Sequence, residues 1–265
     1  MYLVEQHIIT VNDKRYKDLD RICFLSKNLY NVALYTIKQE FLNTGKWIRA
    51  VDLNKKMVAE NNIDYRAMSG SSSQQILMAL DKNLKSYFSA IKAWKRDNKK
   101  FTGCPKFPKY KHKTKGRNVF SYSYAQFKHR GDFIYFPKKE GLSPLRTNCK
   151  EGTVKQVRFV PKSDCYVIEV VYESIVKKQL DDNNRIMSID LGVNNLASIV
   201  TNVSNKPILI DGRRLKSINQ YYNKKRSDIQ QQLKKVNGKE NSRRLMSLTR
   251  RRNNKVKDYL HKASK

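Results

Sequence analysis

Acid is scarce in this sequence. Its 265 residues hold 23 Asp plus Glu against 55 Lys plus Arg, a formal net charge of +32. A folded body with that charge repels itself unless a polyanion neutralises it. Long apolar runs are also missing. No stretch approaches the ~20 apolar residues that a membrane span requires. The opening MYLVEQHIITV has neither a basic n-region nor a long h-region, so it does not read as a signal peptide. The charge is spread along the chain, which argues against one amphipathic helix on an anionic membrane surface. Cysteine is sparse. Cys23, Cys104, Cys149 and Cys165 contain no C-x-x-C pair, and the four histidines are scattered. That spacing gives no zinc site within the chain, and the cysteines read as reduced, intracellular packing residues. Cys104 and His261 are assigned no role.

What the chain does have is order. Hydrophobic residues make up 39% of it and recur with clear periods, which excludes wholesale disorder. Fifteen Tyr and ten Phe supply rings that can stack on bases. Nucleic acid is therefore the expected polyanion.

Tyr2 to Val11 reads as a strand. From Lys17 to about Leu42, Ile22, Leu25, Leu29, Ala33 and Ile37 lie on one helical stripe, and Gly45 ends it. A short helix is expected over Val51–Asn61. The Ser/Gly turn MSGSSSQQ, Met68 to Gln75, should then supply an N-cap. The next helix carries Leu77, Leu80, Leu84, Phe88, Ile91 and Trp94 and should end near Asn98. Trp47 and Trp94 read as core residues and not as base platforms.

Phe101 to Arg117, FTGCPKFPKYKHKTKGR, holds six Lys or Arg, no acid, and two prolines that forbid a regular helix. After it the period becomes two. NVFSYSYAQFK, GDFIYFPKK, TVKQVRFVPK and CYVIEVVYE read as four strands, the last two paired across the Pro161–Asp164 turn. The polar KKQLDDNNR, Lys177 to Arg185, marks a domain boundary. Strands follow near Ile186–Asp190, Leu196–Thr201 and Pro207–Asp211. A helix with the stripe Ile218, Tyr222, Ile229, Leu233, Val236 comes next, then a break at Asn237–Gly238 and a last helix from about Asn241. From Gly212 onward there are 18 Lys plus Arg and 3 acids.

Asp190 stands out as a single carboxylate at the end of a short apolar run, followed by Leu191 and Gly192. In isolation such an acid is a solvated strand end; on the first strand of a three-stranded meander it is where a ribonuclease-H-like nuclease holds a divalent metal. Gly192 would let a metal shell or a nucleic-acid backbone approach. The basic turn, with Lys106, Lys109, Tyr110, Lys111, Lys113 and Arg117, reads either as a solvated linker or as a backbone-contacting segment. The interleaved rings and the prolines favour contact. Arg213, Arg214, Arg250, Arg251 and Arg252 are further candidates for nucleic-acid contact.

The longer string MSIDLGVNNLASIVTN resembles the first RuvC motif of TnpB, the OrfB-type transposon-encoded RNA-guided nuclease family related to type V CRISPR effectors. SKNLYNVALYTIKQEF, SSSQQILMALDKNLKSYFSAIK, GCPKFPKYKHK, LKSINQYYNKKRSDIQQQL and RRLMSLTRRRNNKVKDYLHKASK are similar to segments of the same family in the same order. The resemblance implies an α+β architecture. A wedge β-barrel would comprise residues 1–12 and 101–178, with a helical recognition lobe inserted at 13–100. The start of a RuvC domain would follow at 185–265, with strands at 185–211 and a helical insertion at 212–265. It also implies a guide RNA from the transposon end, target double-stranded DNA beside a short adjacent motif, Mg²⁺ at the complete site with Asp190 as catalytic metal ligand, and a prokaryotic, cytoplasmic, nucleoid-associated setting. The family completes its site with a Glu and a second Asp beyond the first motif and has a four-cysteine zinc ribbon between them. None of these has a counterpart before Lys265. Asp228, Glu240 and Asp258 sit in lysine-rich helices. The chain alone is therefore expected to bind nucleic acid without cutting DNA. A nuclease-dead RNA-guided repressor and a general basic RNA-binding module are the alternative readings.

Overall fold

Alternation and helical stripes resolve into ten strands and six α-helices in a computed structural model that describes residues 1–162, 164–174, 182–237 and 241–264. The chain divides into two compact units, Met1–Val176 and Lys177–Lys265. Residues 177–181 of the expected polar linker, and Gly238 and Glu240 near the expected helix break, lie outside the described residues.

In the first unit β1 (Tyr2–Ile9) is followed by α1 (Tyr16–Thr44), α2 (Ala50–Ala59), α3 (Ile63–Arg66) and α4 (Gly70–Arg96). On the α1 stripe Ile22, Leu29, Ala33 and Ile37 are buried and Leu25 is half-buried, and Leu19 and Leu34 beside it are also buried. Each such side chain contributes about 1.5–3 kcal/mol of transfer free energy. Gly45 closes α1 in the left-handed region at φ 69°, its N–H donating to Phe41 O, a conformation that favours glycine. On α4, Leu77, Leu80 and Leu84 are buried, whereas Phe88, Ile91 and Trp94 are half-buried. Trp47 packs against the core and stacks on Phe88, centroids 4.6 Å apart.

The Ser/Gly turn differs from expectation. Ser69 occupies the N-cap position without a side-chain cap, and the serines after it already belong to α4. Ser73 and Ser72 are buried because their hydroxyls donate to Tyr65 O (2.8 Å) and Ser121 O (3.2 Å). They tie α4 to its neighbours in place of capping it.

Beyond Arg117 come β2 (Phe120–Ser123), β3 (Lys128–Arg130), β4 (Phe133–Tyr135), β5 (Leu145–Arg146), β6 (Val154–Pro161) and β7 (Tyr166–Glu173). The expected four strands are thus six. The stretch at 118–128 is broken by a turn at Tyr124–Gln126, where Ser123 and Gln126 form a capping box. These strands hydrogen-bond as two sheets, β1-β7-β6-β2 and β3-β4-β5, where the family resemblance implied one barrel. Glu5 on β1 joins them, accepting from the Thr147 hydroxyl (2.5 Å) and the Asn148 N–H (3.2 Å) just after β5. Phe120, Tyr122 and Phe159 form an interlocked aromatic core with centroids 4.9–5.8 Å apart. The helices α1 and α4 pack on this four-stranded sheet.

The second unit starts with an antiparallel meander, β8 (Met187–Leu191), β9 (Asn195–Thr201) and β10 (Ile208–Asp211), in the order β10-β9-β8. Two helices follow, α5 (Arg213–Asn237) and α6 (Arg243–Ala263). They meet through Tyr222, whose hydroxyl lies 3.1 Å from Thr249 Oγ1 and whose ring lies 4.7 Å from the Arg252 guanidinium. Tyr259 OH donates to Asp211 O, which ties α6 to the end of β10. No helix among the described residues is long and apolar enough to cross a membrane.

Candidate nucleic-acid interface and the Asp190 position

Residues 101–117 form no α-helix or strand, yet they are not loose: they run antiparallel along α1, fixed at successive points. Phe107 packs edge-on against Tyr87 of α4 at 5.2 Å, and Lys38 Nζ stands 5.3 Å from the Phe107 ring and 4.5 Å from the Tyr110 ring. Asn31 clamps Lys111 from both sides, accepting its N–H (2.8 Å) and donating to its carbonyl (2.9 Å). Lys27 Nζ donates to Lys113 O at 2.5 Å. Lys27 is buried, and burial first, then the Arg117 charge, lower its pKa from the ordinary lysine value.

The strap ends on Arg117. Its Nε and Nη2 donate to the Asp20 carboxylate at 2.8 and 2.7 Å. Its Nη1 donates to Thr114 O (3.0 Å) and Gly116 O (2.8 Å), and the guanidinium lies 4.9 Å from the Phe24 ring. Tyr166 OH also donates to Asp20, at 2.5 Å. The Arg117 contacts, opposed by burial, hold Asp20 below the usual aspartate range. Arg117, expected to touch nucleic acid, thus makes four hydrogen bonds inside the protein that fix the strap. A tight turn precedes it. Gly116 N–H donates to His112 O, and a Cβ on Gly116 would lie 2.5 Å from that oxygen.

This anchoring turns outward the side chains that the sequence singled out. Lys106, Lys109, Tyr110, Lys111 and Lys113 are all exposed. Lys109 offers its carbonyl to Tyr30 OH at 3.4 Å while its ammonium stays in solvent. None of these four lysines makes an ion pair among the described residues. The arrangement suits phosphate contact, which positions a nucleic acid without reading its sequence.

In the second unit Asp190 pairs with Ser198 across β8–β9 and is exposed. The alternation of the strand puts Asp190 on the face opposite Ile189 and Leu191. Gly192 has a local explanation. A Cβ there would lie 2.8 Å from Asn195 O, so the tight β8–β9 turn requires glycine without any ligand. Gly212 is similar, since its Cβ would meet Val193 O and its N–H donates to Asn194 O at 2.7 Å. The nearby Asp211 is used locally, its carboxylate accepting the Arg213 N–H at 2.9 Å. Asp258 pairs with Lys262 at 2.9 Å on the exposed face of α6. Among the described residues no three His, Cys, Asp or Glu side chains converge as metal ligands. Mg²⁺ is commonly held through one or two carboxylates plus waters and phosphate oxygens, and a two-metal centre needs more. The described residues do not fit a two-metal centre.

The arginines divide. Arg213, Arg214 and Arg251 are exposed, with the Arg214 guanidinium 5.6 Å from the Tyr259 ring. Arg252 is half-buried on Tyr222, and Arg250 is half-buried and engaged. Three consecutive residues of a helix fan about 100° apart, so the triplet is not one cationic face. Sequence reasoning missed Lys27, Asn31, Tyr35 and Lys38, which build the α1 side of the strap. Their spacing of four, four and three is a legible helical signal that runs beside the apolar stripe.

These features define a basic α+β protein with a cationic strap held on a helical layer in its first unit, and a three-stranded meander followed by two helices in its second, with Asp190 exposed on the first strand of the meander. Residues 168–265 match the family OrfB_IS605, described as a probable transposase. The matched span contains the MSIDLGVNNLASIVTN segment. No curated protein matches the chain. Among solved structures, a chain from the cryo-EM structure of the Cas12f1–sgRNA–target DNA complex aligns at 12% identity and TM-score 0.32, covering 94% of this chain and 64% of its own. A chain of a CRISPR-Cas12f ternary complex aligns at 12% identity and TM-score 0.31, covering 86% and 53%. This chain spans less than two thirds of the length of either.

Proposed function

We propose that this chain is the RNA- and DNA-binding portion of a TnpB-like RNA-guided system. In this reading residues 13–100 form the recognition lobe, the sheets of the first unit form the wedge, and residues 185–265 open a RuvC domain. A guide RNA from the transposon end lies along the basic strap, and base pairing delegates sequence recognition to that RNA. The target is double-stranded DNA beside a short motif, in a prokaryotic cytoplasm. Asp190 is a candidate Mg²⁺ ligand, and among the described residues it belongs to no cluster of three metal-ligating side chains. The observation that supports the reading is the family match over residues 168–265, a span that contains Asp190 and the β8–β10 meander.

The test uses the 265-residue protein. RNA that co-purifies with it is sequenced, and a plasmid library with varied adjacent motifs is digested with Mg²⁺ and the recovered RNA. Enrichment of transposon-end RNA and an uncut library are expected, with Asp190→Ala changing neither. Absence of bound RNA would overturn guide binding. Cutting that disappears in Asp190→Ala would overturn the incompleteness of the site.

A further inference from the structure

Tyr35 and Tyr110 are large rings left in water, 56% and 45% exposed. They come from distant parts of the chain and are brought together by the strap. Asn31, Tyr35 and Lys38 follow one another at spacings of four and three, so they share one face of α1. Asn31 holds the backbone of Lys111, and Lys38 stands over the Tyr110 ring. Tyr35 lies between them in the helix, and Tyr110 lies immediately before the clamped residue. Burial, and next the neighbouring Tyr35, hold the Tyr110 hydroxyl above the ordinary tyrosine pKa. The two rings do not stack on each other, so each keeps ring surface for another partner.

We propose that Tyr35 and Tyr110 form a stacking platform for unpaired RNA bases, with Lys109 and Lys111 holding the phosphates on either side. The inference rests on the RNA-binding reading above and deepens it, since cations alone do not distinguish a paired from an unpaired strand. Three features carry it. The order Lys109-Tyr110-Lys111 alternates cation, ring and cation as a single strand alternates phosphate and base. Both lysines are exposed, and among the described residues neither pairs with a carboxylate, Lys111 Nζ standing 5.4 Å from the Tyr30 ring. The backbone beneath the platform is fixed by Asn31 and Tyr30, so stacking does not have to order it. A duplex buries its base faces within its own stack and gains nothing from the rings.

The experiment measures the affinity of the full chain for a short single-stranded oligoribonucleotide and for a blunt RNA duplex of equal charge, with 2-aminopurine in the single strand reporting stacking. Tyr35→Ala and Tyr110→Ala are each expected to weaken single-strand binding about tenfold. They should relieve quenching of the probe, leave duplex affinity unchanged, and be rescued by Tyr35→Phe and Tyr110→Phe. Tyr35→Leu and Tyr110→Leu keep apolar bulk without a ring and should behave like alanine. Wild-type single-strand affinity in both alanine variants would overturn the platform, as would equal losses on duplex and single strand. Failure of the unaltered protein to bind either RNA would instead overturn RNA binding itself, and the two outcomes are distinguishable.

Discussion

The strap's dependence on a single residue can be tested by Arg117→Ala. The guanidinium donates two charge-assisted bonds to Asp20 and two to backbone carbonyls, and it covers the Phe24 ring. A hydrogen bond to a charged group contributes about 1.5–3 kcal/mol, and bonds from one group do not add. Side-chain exposures of 22% for Arg117 and 38% for Asp20 require a discount for solvent screening. Tyr166 still donates to Asp20 after truncation, so the carboxylate is not orphaned. The net cost should be about 2–3 kcal/mol. For a unit of this size that is a fall in melting temperature of roughly 4–12 °C. Both tryptophans, Trp47 and Trp94, lie in the first unit, so intrinsic tryptophan fluorescence follows its unfolding without signal from the second.

The same contact predicts a pH dependence. Asp20 has a folded pKa below its unfolded value of 3.8. The unfolded state therefore takes up its proton first as pH falls. The stabilisation is present above the unfolded pKa and is lost progressively as pH drops below about 4 toward the folded value. In Arg117→Ala the main cause of the depression is gone, so this acid-limb loss should shrink. Arg117→Lys keeps the charge but not the two-pronged geometry and should fall between. An alanine variant that melts within about 1 °C of the unaltered protein at neutral pH, with the same acid limb, would refute the anchoring argument.

Two further outcomes follow from the strap. Changing Lys106, Lys109 and Lys111 together to Ala should reduce the slope of log affinity against log salt for single-stranded RNA by about 2, since each neutralised phosphate contributes ~0.7; a salt titration with an unchanged slope would remove these residues from the interface. Gly116→Ala forces a Cβ to within 2.5 Å of His112 O, so the backbone must shift at a cost of about 1–3 kcal/mol; amide exchange over residues 112–117 should accelerate, and unaltered exchange would show that the turn is not tight.

Local order was legible in this sequence wherever one element carried its own signal. The stripe on α1 and Gly45 at its end, the pairing of β6 with β7, and the three strands after Arg185 all rest on periods of a few residues. What periodicity cannot carry is pairing at a distance. The divided sheets depend on a break at Tyr124–Gln126 and on the two-residue β5, too short for alternation to show. Ser72 and Ser73 look like cap residues until their partners, Tyr65 and Ser121, are known. Gly192 looks permissive for a ligand until Asn195 O is seen beside it. Composition likewise could not separate the basic residues by role.

Arg117 and Lys109 are both cations of one basic segment, and the internal role of Arg117 is made by Asp20, placed 97 positions away. The distinction bears on affinity. A flexible polycation must lose about 1–2 kcal/mol of backbone entropy for each residue it orders on binding. Here Asn31, Lys27 and Arg117 have already fixed the backbone around Tyr110. In the proposed interface, the contacts that occupy Arg117 and Lys27 within the protein would strengthen binding, because they leave the exposed lysines and Tyr110 only their side-chain freedom to lose. A chain with so few acids commits Asp20 to this pairing, where one carboxylate anchors the end of a cationic segment that Asn31 and Lys27 hold further along.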